Sequence, residues 1–556
     1  MATALIVATC TAPDLRQEAS LRPSASPVVG GRFVEGGFSD VRTLQPVLLN
    51  DAISANVAGR IYESLVRVDP RTGEIKPNLG SWSVSTDGRT YTWEIARTAS
   101  WSDGKPIVAN DLLTGITLVA KSKRTVWKPN FADVLGFPEL ASGTAGSLTG
   151  FRIDPTDQKK FSVTFGRVFC PALMNAFGGN FVLPTQVFGR YATAESRDEI
   201  DVAPENDAPT VASGPFKLGE WKKGDQVVLE RNANYWRGAP LLDQYVYKVV
   251  ADSTVLAQGL KSGRLTYATI EAKDHDELVK VPALRVTEYP QLSESYIGWN
   301  VKSPALPALG DKRIRQALAY GLDLDLVIGT ALLGHGTKLV TQVPTASWAA
   351  PRSGLEPYAF DRAKAEGLIR AAGYAKGADG IYEKEGRPLA ISLVANESRD
   401  RFLQIVVEQY RAIGVRVAAR VETFELMADQ LQTGSQAFQA WILGWTLPVD
   451  PDPYTFWSAS GIPDAKARKT GYNFGSFTSP ELEQAMTDGR TPANGDCSLA
   501  ARKKAYEAVY RILNDEQPYN FGYSPNVIAV TQRSLREFAP DTFGTYWNIE
   551  KWWLQP

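Results

Sequence analysis

Helical and extended periodicities are segregated along this chain, and that segregation constrains the fold more than any single motif. In the first half, short strands follow turn dipeptides: YTWEI from Tyr91 alternates apolar and polar residues after the turn TDGR at 86–89. VVLE from Val227 follows the turn KGD at 223–225 in the same way. The second half changes period. DKRIRQALAYGL from Asp311 sets Ile314, Ala317, Leu318 and Leu322 on one helical stripe, with Asp311 as N-cap. DRAKAEGLIRAA from Asp361 predicts a second helix, closed by Gly373 in a left-handed C-cap. A third is expected over 401–412, stopping near Gly414, and VRVAARVE from Val415 then alternates as a half-buried strand. The order is mainly β first and helix-then-strand later, which is an α/β chain.

At roughly 150 residues per domain, 556 residues suggest three or four lobes, not all continuous in sequence. Sixty Lys+Arg against 61 Asp+Glu leave a net charge of −1, so no overall basic field exists to hold nucleic acid or anionic lipid. Beyond the N-terminus no segment approaches the roughly 20 apolar residues that cross a bilayer. Residues 1–30 read as an export remnant and tether: ATALIVAT ends at Cys10 and runs into a Pro/Ser/Ala-rich tract without periodicity. VATC at 7–10 resembles a bacterial lipobox with Cys10 as the lipidated residue, although Thr9 departs from the usual small residue; an incidental cysteine is the alternative.

Signals of catalysis are scarce. His275 and His335 are the only histidines, which excludes H-E-x-x-H zinc sites, and both read as structural, one in the charged stretch KDHDE and one in a Gly-flanked turn. There is no G-x-S-x-G elbow, P-loop or dinucleotide fingerprint. No C-x-x-C spacing exists, and nothing places Cys170 within bridging distance of Cys497, so buried free thiols are expected, with pairing in an oxidising compartment as the alternative. No cofactor or metal is expected.

An ordered series of motifs carries a resemblance: LQP from Leu44, IYESLV from Ile61, PNLGSWSVSTDGRTYTW from Pro77, WSDGKPIVAND from Trp101, GPFKL from Gly214, LERNANYW from Leu229, YIGWN from Tyr296, DKRIRQAL from Asp311, and GWT from Gly444 with Asp452-Pro downstream. From about Gly31 to the C-terminus the chain resembles the bacterial extracellular solute-binding proteins of family 5, the oligopeptide-, dipeptide- and nickel-binding components of ABC importers. The resemblance implies an α/β, two-lobed periplasmic-binding-protein-like clamp of class II type with three structural regions. By analogy, lobe 1 comprises 31–65, 180–290 and 525–556 with an additional region at 66–179, and lobe 2 comprises 291–524.

Ligand is expected between the lobes. FQAWILGWT from Phe438 alternates as a strand, and in relatives the end of this strand pairs with bound peptide main chain to main chain, which maps onto Gly444, Trp445 and Thr446. The resemblance also carries over Asn50, Trp127, Tyr296 and Tyr523 as ligand-facing residues. One position departs: the carboxylate that relatives place three residues after the Trp, for a peptide ammonium, is Pro448 here, and Asp450 is the nearest substitute, with a shaped Pro-rich turn as the alternative. No Lys or Arg lies between Phe438 and Trp457 to fix a carboxylate. The reading is a non-enzymatic, monomeric receptor outside the cytoplasm that captures oligopeptides or other small solutes for an ABC permease and ATPase, touching membrane only through a lipid anchor. An oligosaccharide ligand is the alternative within the family, since 14 Trp and 21 Tyr suit sugar stacking. Two histidines leave few ligands for nickel or haem. An extracellular hydrolase and an adhesive surface lipoprotein are the readings from other classes.

Overall fold

The structure, a computed structural model, describes residues 26–556 apart from 196, 397–398, 436–437 and 468. Cys10 and most of the expected tether lie outside the described residues.

Among the described residues twelve strands form one continuous hydrogen-bonded sheet that serves two lobes. On the first-lobe side, Arg32–Gly37 lies parallel to Gln244–Val249 and Tyr267–Thr269, and the sheet runs out through Gln226–Arg231 and Phe216–Lys222. On the second, Ser293–Trp299 pairs antiparallel with Ala440–Thr446, which neighbours Ala390–Asn396 and then Arg416–Glu422. The 14-residue strand Tyr519–Gln532 joins them. Its first part pairs with Ser293–Trp299 and its last seven residues with Leu284–Pro290, so the chain crosses between lobes near Pro525 and again between Pro290 and Ser293.

Separate cores fill the lobes. Phe33, Trp93, Trp101, Tyr245 and Trp552 belong to the first-lobe core, which also covers the four-stranded sheet of Gly80–Val84, Thr90–Ile95, Lys160–Thr164 and Phe151–Ile153. Ile297, Leu318, Ile369, Val406 and Ile442 pack on one face of the second-lobe sheet, and Trp441, Trp457, Tyr506 and Tyr519 on the other. Burying each such side chain contributes about 1.5–3 kcal/mol, which offsets the entropy of ordering the strands. No helix among the described residues is long and apolar enough to cross a membrane.

The periodic helices form where the stripes predict them. Lys312–Tyr320 is capped by the Asp311 carboxylate, which accepts from the Arg313 N–H. Arg362–Ala371 is capped by Asp361 and followed by Gly373 at φ 91°, and Asp400–Ala412 is followed by Gly414 at φ 77°. One strand differs from expectation: Arg416–Glu422 is largely exposed rather than half-buried, because it forms the sheet's outer edge and its Arg side chains face solvent.

The free-thiol expectation is corrected. Cys170 and Cys497 form a disulfide with Cα atoms 5.2 Å apart across 327 residues of sequence. Folding alone brings them together: the Cys170 N–H donates to the Arg490 carbonyl at 2.9 Å, and the Arg490 guanidinium lies 4.8 Å over the Phe169 ring. The bond fastens the first-lobe four-stranded-sheet region to the second lobe.

Candidate functional site

Both faces of the first four residues of Ala440–Thr446 are buried, since Ala440 and Ile442 enter one second-lobe core while Trp441 and Leu443 enter the other. Its two edges differ. On one side pairing continues to Thr446 opposite Ser293. On the other, Ala390–Asn396 pairs only with residues 440–442, so no described strand covers residues 444–446. Among the described residues that leaves the main-chain donors and acceptors of this edge without a strand partner, and a further strand can use them. Gly444 is required there: a Cβ would sit 2.6 Å from the Glu294 carbonyl oxygen and 2.7 Å from Arg399 Nη2.

Arg399 is the residue that sequence reasoning missed. Its Nη1 donates to Ser295 Oγ at 2.6 Å and to the Tyr523 hydroxyl at 3.2 Å, setting a half-buried guanidinium beside the open edge. The missing cation between Phe438 and Trp457 is thus supplied from the loop before helix Asp400–Ala412. Only its place in the charged run ESRDR marks it in the sequence.

The carried-over residues divide. Trp445 is half-buried, enclosed by Phe456, Tyr472 and Phe474 at centroid distances of 5.0, 5.6 and 5.5 Å. Thr446 is exposed at the end of the edge. Tyr523 is buried against Phe402 and reaches the site only through its hydroxyl. Tyr296 is fully buried, stacked on Tyr519 at 4.1 Å, and burial drives its hydroxyl pKa far up, so its side chain serves the core. Asn50 is exposed beside Asp51, the N-cap of Ala52–Ile61, and Trp127 packs edge-on against Phe181 at 5.9 Å in the first lobe.

Asp450 is a correction. Its carboxylate is buried and accepts from Arg502 Nη1 and Nη2 at 2.9 and 2.7 Å, a bidentate pair that the Tyr506 hydroxyl and Trp348 ring enclose. An acid already neutralised in this way has no oxygen pair to offer a ligand ammonium. Asp452 is similarly engaged by Arg490; burial pushes its carboxyl pKa up, opposed by that guanidinium.

A different acid stands behind the edge. Glu294, opposite Trp445 in the strand register, is 1% exposed and accepts from Gln342 Nε2 at 3.0 Å through one oxygen, while its other oxygen has no partner among the described residues. Desolvation drives its pKa well above the usual carboxylate range, with the Gln342 bond opposing. In the unfolded chain this carboxyl ionises near 4.5. The native state therefore holds the extra proton as pH rises through that value, and stability falls with it. Glu294→Gln is expected to raise stability by about 1–3 kcal/mol at neutral pH and to change little below pH 4, as read from urea unfolding at the two pH values.

A narrow crevice of about 10 Å³ is lined by Leu292, Gln342, Leu447, Pro448, Phe456 and Tyr510, next to the end of this strand. A separate cavity of about 420 Å³ lies wholly within the first lobe, between Arg60, Glu63, Arg67 and Trp547. It touches none of the second-lobe residues described above.

Two lobes joined by crossing strands, with an open strand edge on one of them, define a binding protein of the periplasmic clamp class. Residues 74–466 match the bacterial extracellular solute-binding proteins, family 5 Middle, and the chain belongs to that family. It is 25% identical over 565 residues to the oligopeptide-binding protein AppA of Bacillus subtilis, covering 100% of this chain and 97% of AppA. It is 21% identical over 500 residues to the dipeptide-binding protein of Escherichia coli, covering 87% and 88% of the two chains. The solved structure of AppA in complex with a nonapeptide matches with a TM-score of 0.76 at 24% identity, over 95% of this chain and 100% of that one. The substrate-binding protein CtaP of Listeria monocytogenes matches with a TM-score of 0.79 at 22% identity, over 95% and 100%.

Proposed function

We propose that the protein captures oligopeptides between its lobes outside the cytoplasm and delivers them to an ABC permease and its ATPase subunits. The edge at residues 444–446, which no strand covers among the described residues, carries this reading. An extended peptide added there bonds through its main chain, which makes recognition largely independent of side chains. Arg399 supplies positive charge for a carboxylate or for peptide carbonyls at that end of the strand. Asn50 and Trp127 contribute from the first lobe on closure, within the regions 31–65, 180–290 and 525–556, with 66–179 added, facing 291–524. The working form is a monomer tethered through Cys10.

Because Asp450 is occupied, free and N-acetylated peptides are expected to bind alike, and the decisive comparison is in the backbone. Isothermal titration with a nine-residue peptide and its analogue N-methylated at alternate amides should show binding lost in the analogue; equal affinity for the two would remove main-chain pairing. Trp445→Ala is expected to weaken peptide binding by about 1–3 kcal/mol, as for a buried aromatic anchor, and an unchanged Kd would take Trp445 out of the site. The oligosaccharide alternative needs an open aromatic platform, whereas Phe456, Tyr472 and Phe474 surround the Trp445 ring. Mass spectrometry of ligand released from the natively purified protein separates the two, as a peptide mixture or a glycan.

A further inference from the structure

The two histidines of this chain are 60 positions apart, yet they meet, with ring centroids 4.4 Å from one another. Glu288 completes the group. Its Oε2 is 3.0 Å from His335 Nδ1, and one ligand-type atom from each of the three residues lies within 4.8 Å of the others. We propose that His275, Glu288 and His335 form a binding site for one divalent transition-metal ion of the Zn²⁺ class, bridging the two lobes beside their crossing strands.

Each member comes from a different element and is held by backbone. His275 opens the short helix His275–Leu278, which Leu278 pins into a smaller apolar cluster with Leu256, Leu260 and Leu284. Glu288 lies on Leu284–Pro290, opposite Ile528 of the crossing strand. His335 is set by a tight turn: Leu333 and Gly334 adopt φ 50° and 91°, the His335 N–H donates to the Leu332 carbonyl at 2.8 Å, and its own carbonyl accepts from the Asn526 N–H at 3.1 Å. A left-handed Leu with its side chain 55% exposed is an unfavourable conformation, and it directs the chain that carries the imidazole to this point.

The donor set selects the ion. Two imidazoles and a carboxylate suit Zn²⁺, Co²⁺, Ni²⁺ or Cu²⁺, whereas Ca²⁺ and Mg²⁺ take oxygen ligands. Bonds of about 2.0–2.2 Å around a tetrahedral ion place ligand atoms roughly 3.4 Å apart, so closing the present separations requires small rotations of partly exposed side chains. Supporting partners are also in place. Asn526 Nδ2 donates to Glu288 Oε1 at 2.5 Å, and Asp276 Oδ1 is 3.0 Å from His275 Nδ1, an arrangement that leaves Nε2 for an ion. A fourth position is left for water. His275 and Glu288 stand on the first-lobe side and His335 on the turn leading into Gly336–Lys338, which pairs with the crossing strand from the second lobe. An ion held by all three therefore fastens the lobes together at that point. The site shares no residue with the edge at 444–446.

The test uses the full chain without a polyhistidine tag, stripped with a chelator. Co²⁺ titration should saturate at one equivalent and give the visible absorption of a nitrogen-ligated, low-symmetry site, and Zn²⁺ should displace it. His275→Gln and His335→Gln should each weaken Zn²⁺ at least tenfold in competition with a chromophoric chelator, while metal-free melting temperatures stay near that of the parent. Equal losses in both variants support a site spanning the lobes. No stoichiometric Zn²⁺ binding, or Zn²⁺ binding that survives both substitutions, overturns the proposal and leaves a hydrogen-bonded His–Glu pair.

Discussion

Asp450→Asn is expected to destabilise the second lobe by about 3–5 kcal/mol, with little selective effect on peptides carrying a free amino terminus. The acid and Arg502 are both buried, and the guanidinium makes two short bonds to the carboxylate while its Nε donates to the Gly489 carbonyl at 3.1 Å. Removing the negative charge leaves the cation enclosed by Trp348 and Tyr506 without its counter-ion, and an uncompensated buried charge costs more than the pair contributes. Chemical unfolding followed by tryptophan fluorescence should register the loss in the second-lobe transition. The paired change Asp450→Leu with Arg502→Met should recover much of it, because replacing both ions by apolar side chains removes the stranded charge. A mutant of parental stability that loses affinity only for free-amine peptides would return Asp450 to the binding site.

Local chemistry was legible in the sequence and long-range pairing was not. The caps Asp311 and Asp361 and the left-handed Gly373 and Gly414 act within a few residues, so each helix end could be read from its own neighbourhood. The strand 440–446 was legible for the same reason. Asp450 was misread because its partner lies 52 residues on, in the helix Leu499–Glu516, where Arg502 looks like any solvated helix cation. Arg399 was missed because its partners, Ser295 Oγ and the Tyr523 hydroxyl, lie 104 and 124 positions away on two other strands, and they meet it only after those strands have assembled. His275 and His335 each looked structural alone, and only the crossing strands bring their rings within 4.4 Å of one another. A motif series identifies a family's frame, but the charges paired inside that frame depend on contacts no local window contains.

Breaking the Cys170–Cys497 bond is expected to loosen the clamp as well as to lower its stability. The crossing strands already join the lobes near residues 290–293 and 525–526, and the disulfide adds a second, covalent link from the Phe169–Cys170 segment to the start of helix Leu499–Glu516. A clamp held at two places rotates less than one held only at its hinge, so the oxidised protein should resist opening. The bond also closes a loop spanning 327 positions of sequence, and such long loops lose the most chain entropy, so its removal should cost about 2–5 kcal/mol. Cys170→Ser, or reduction of the parent, should therefore increase the radius of gyration of the ligand-free protein in small-angle scattering and speed peptide dissociation. The noncovalent contacts at the same place, from Arg490 to Phe169 and to the Cys170 N–H, are too few to replace a covalent link, although they can guide the lobes back together. Reoxidation should reverse both effects, and a Ser variant should show neither reversal. Equal radii and equal dissociation rates in the oxidised and reduced protein would show that the disulfide does not restrain the lobes.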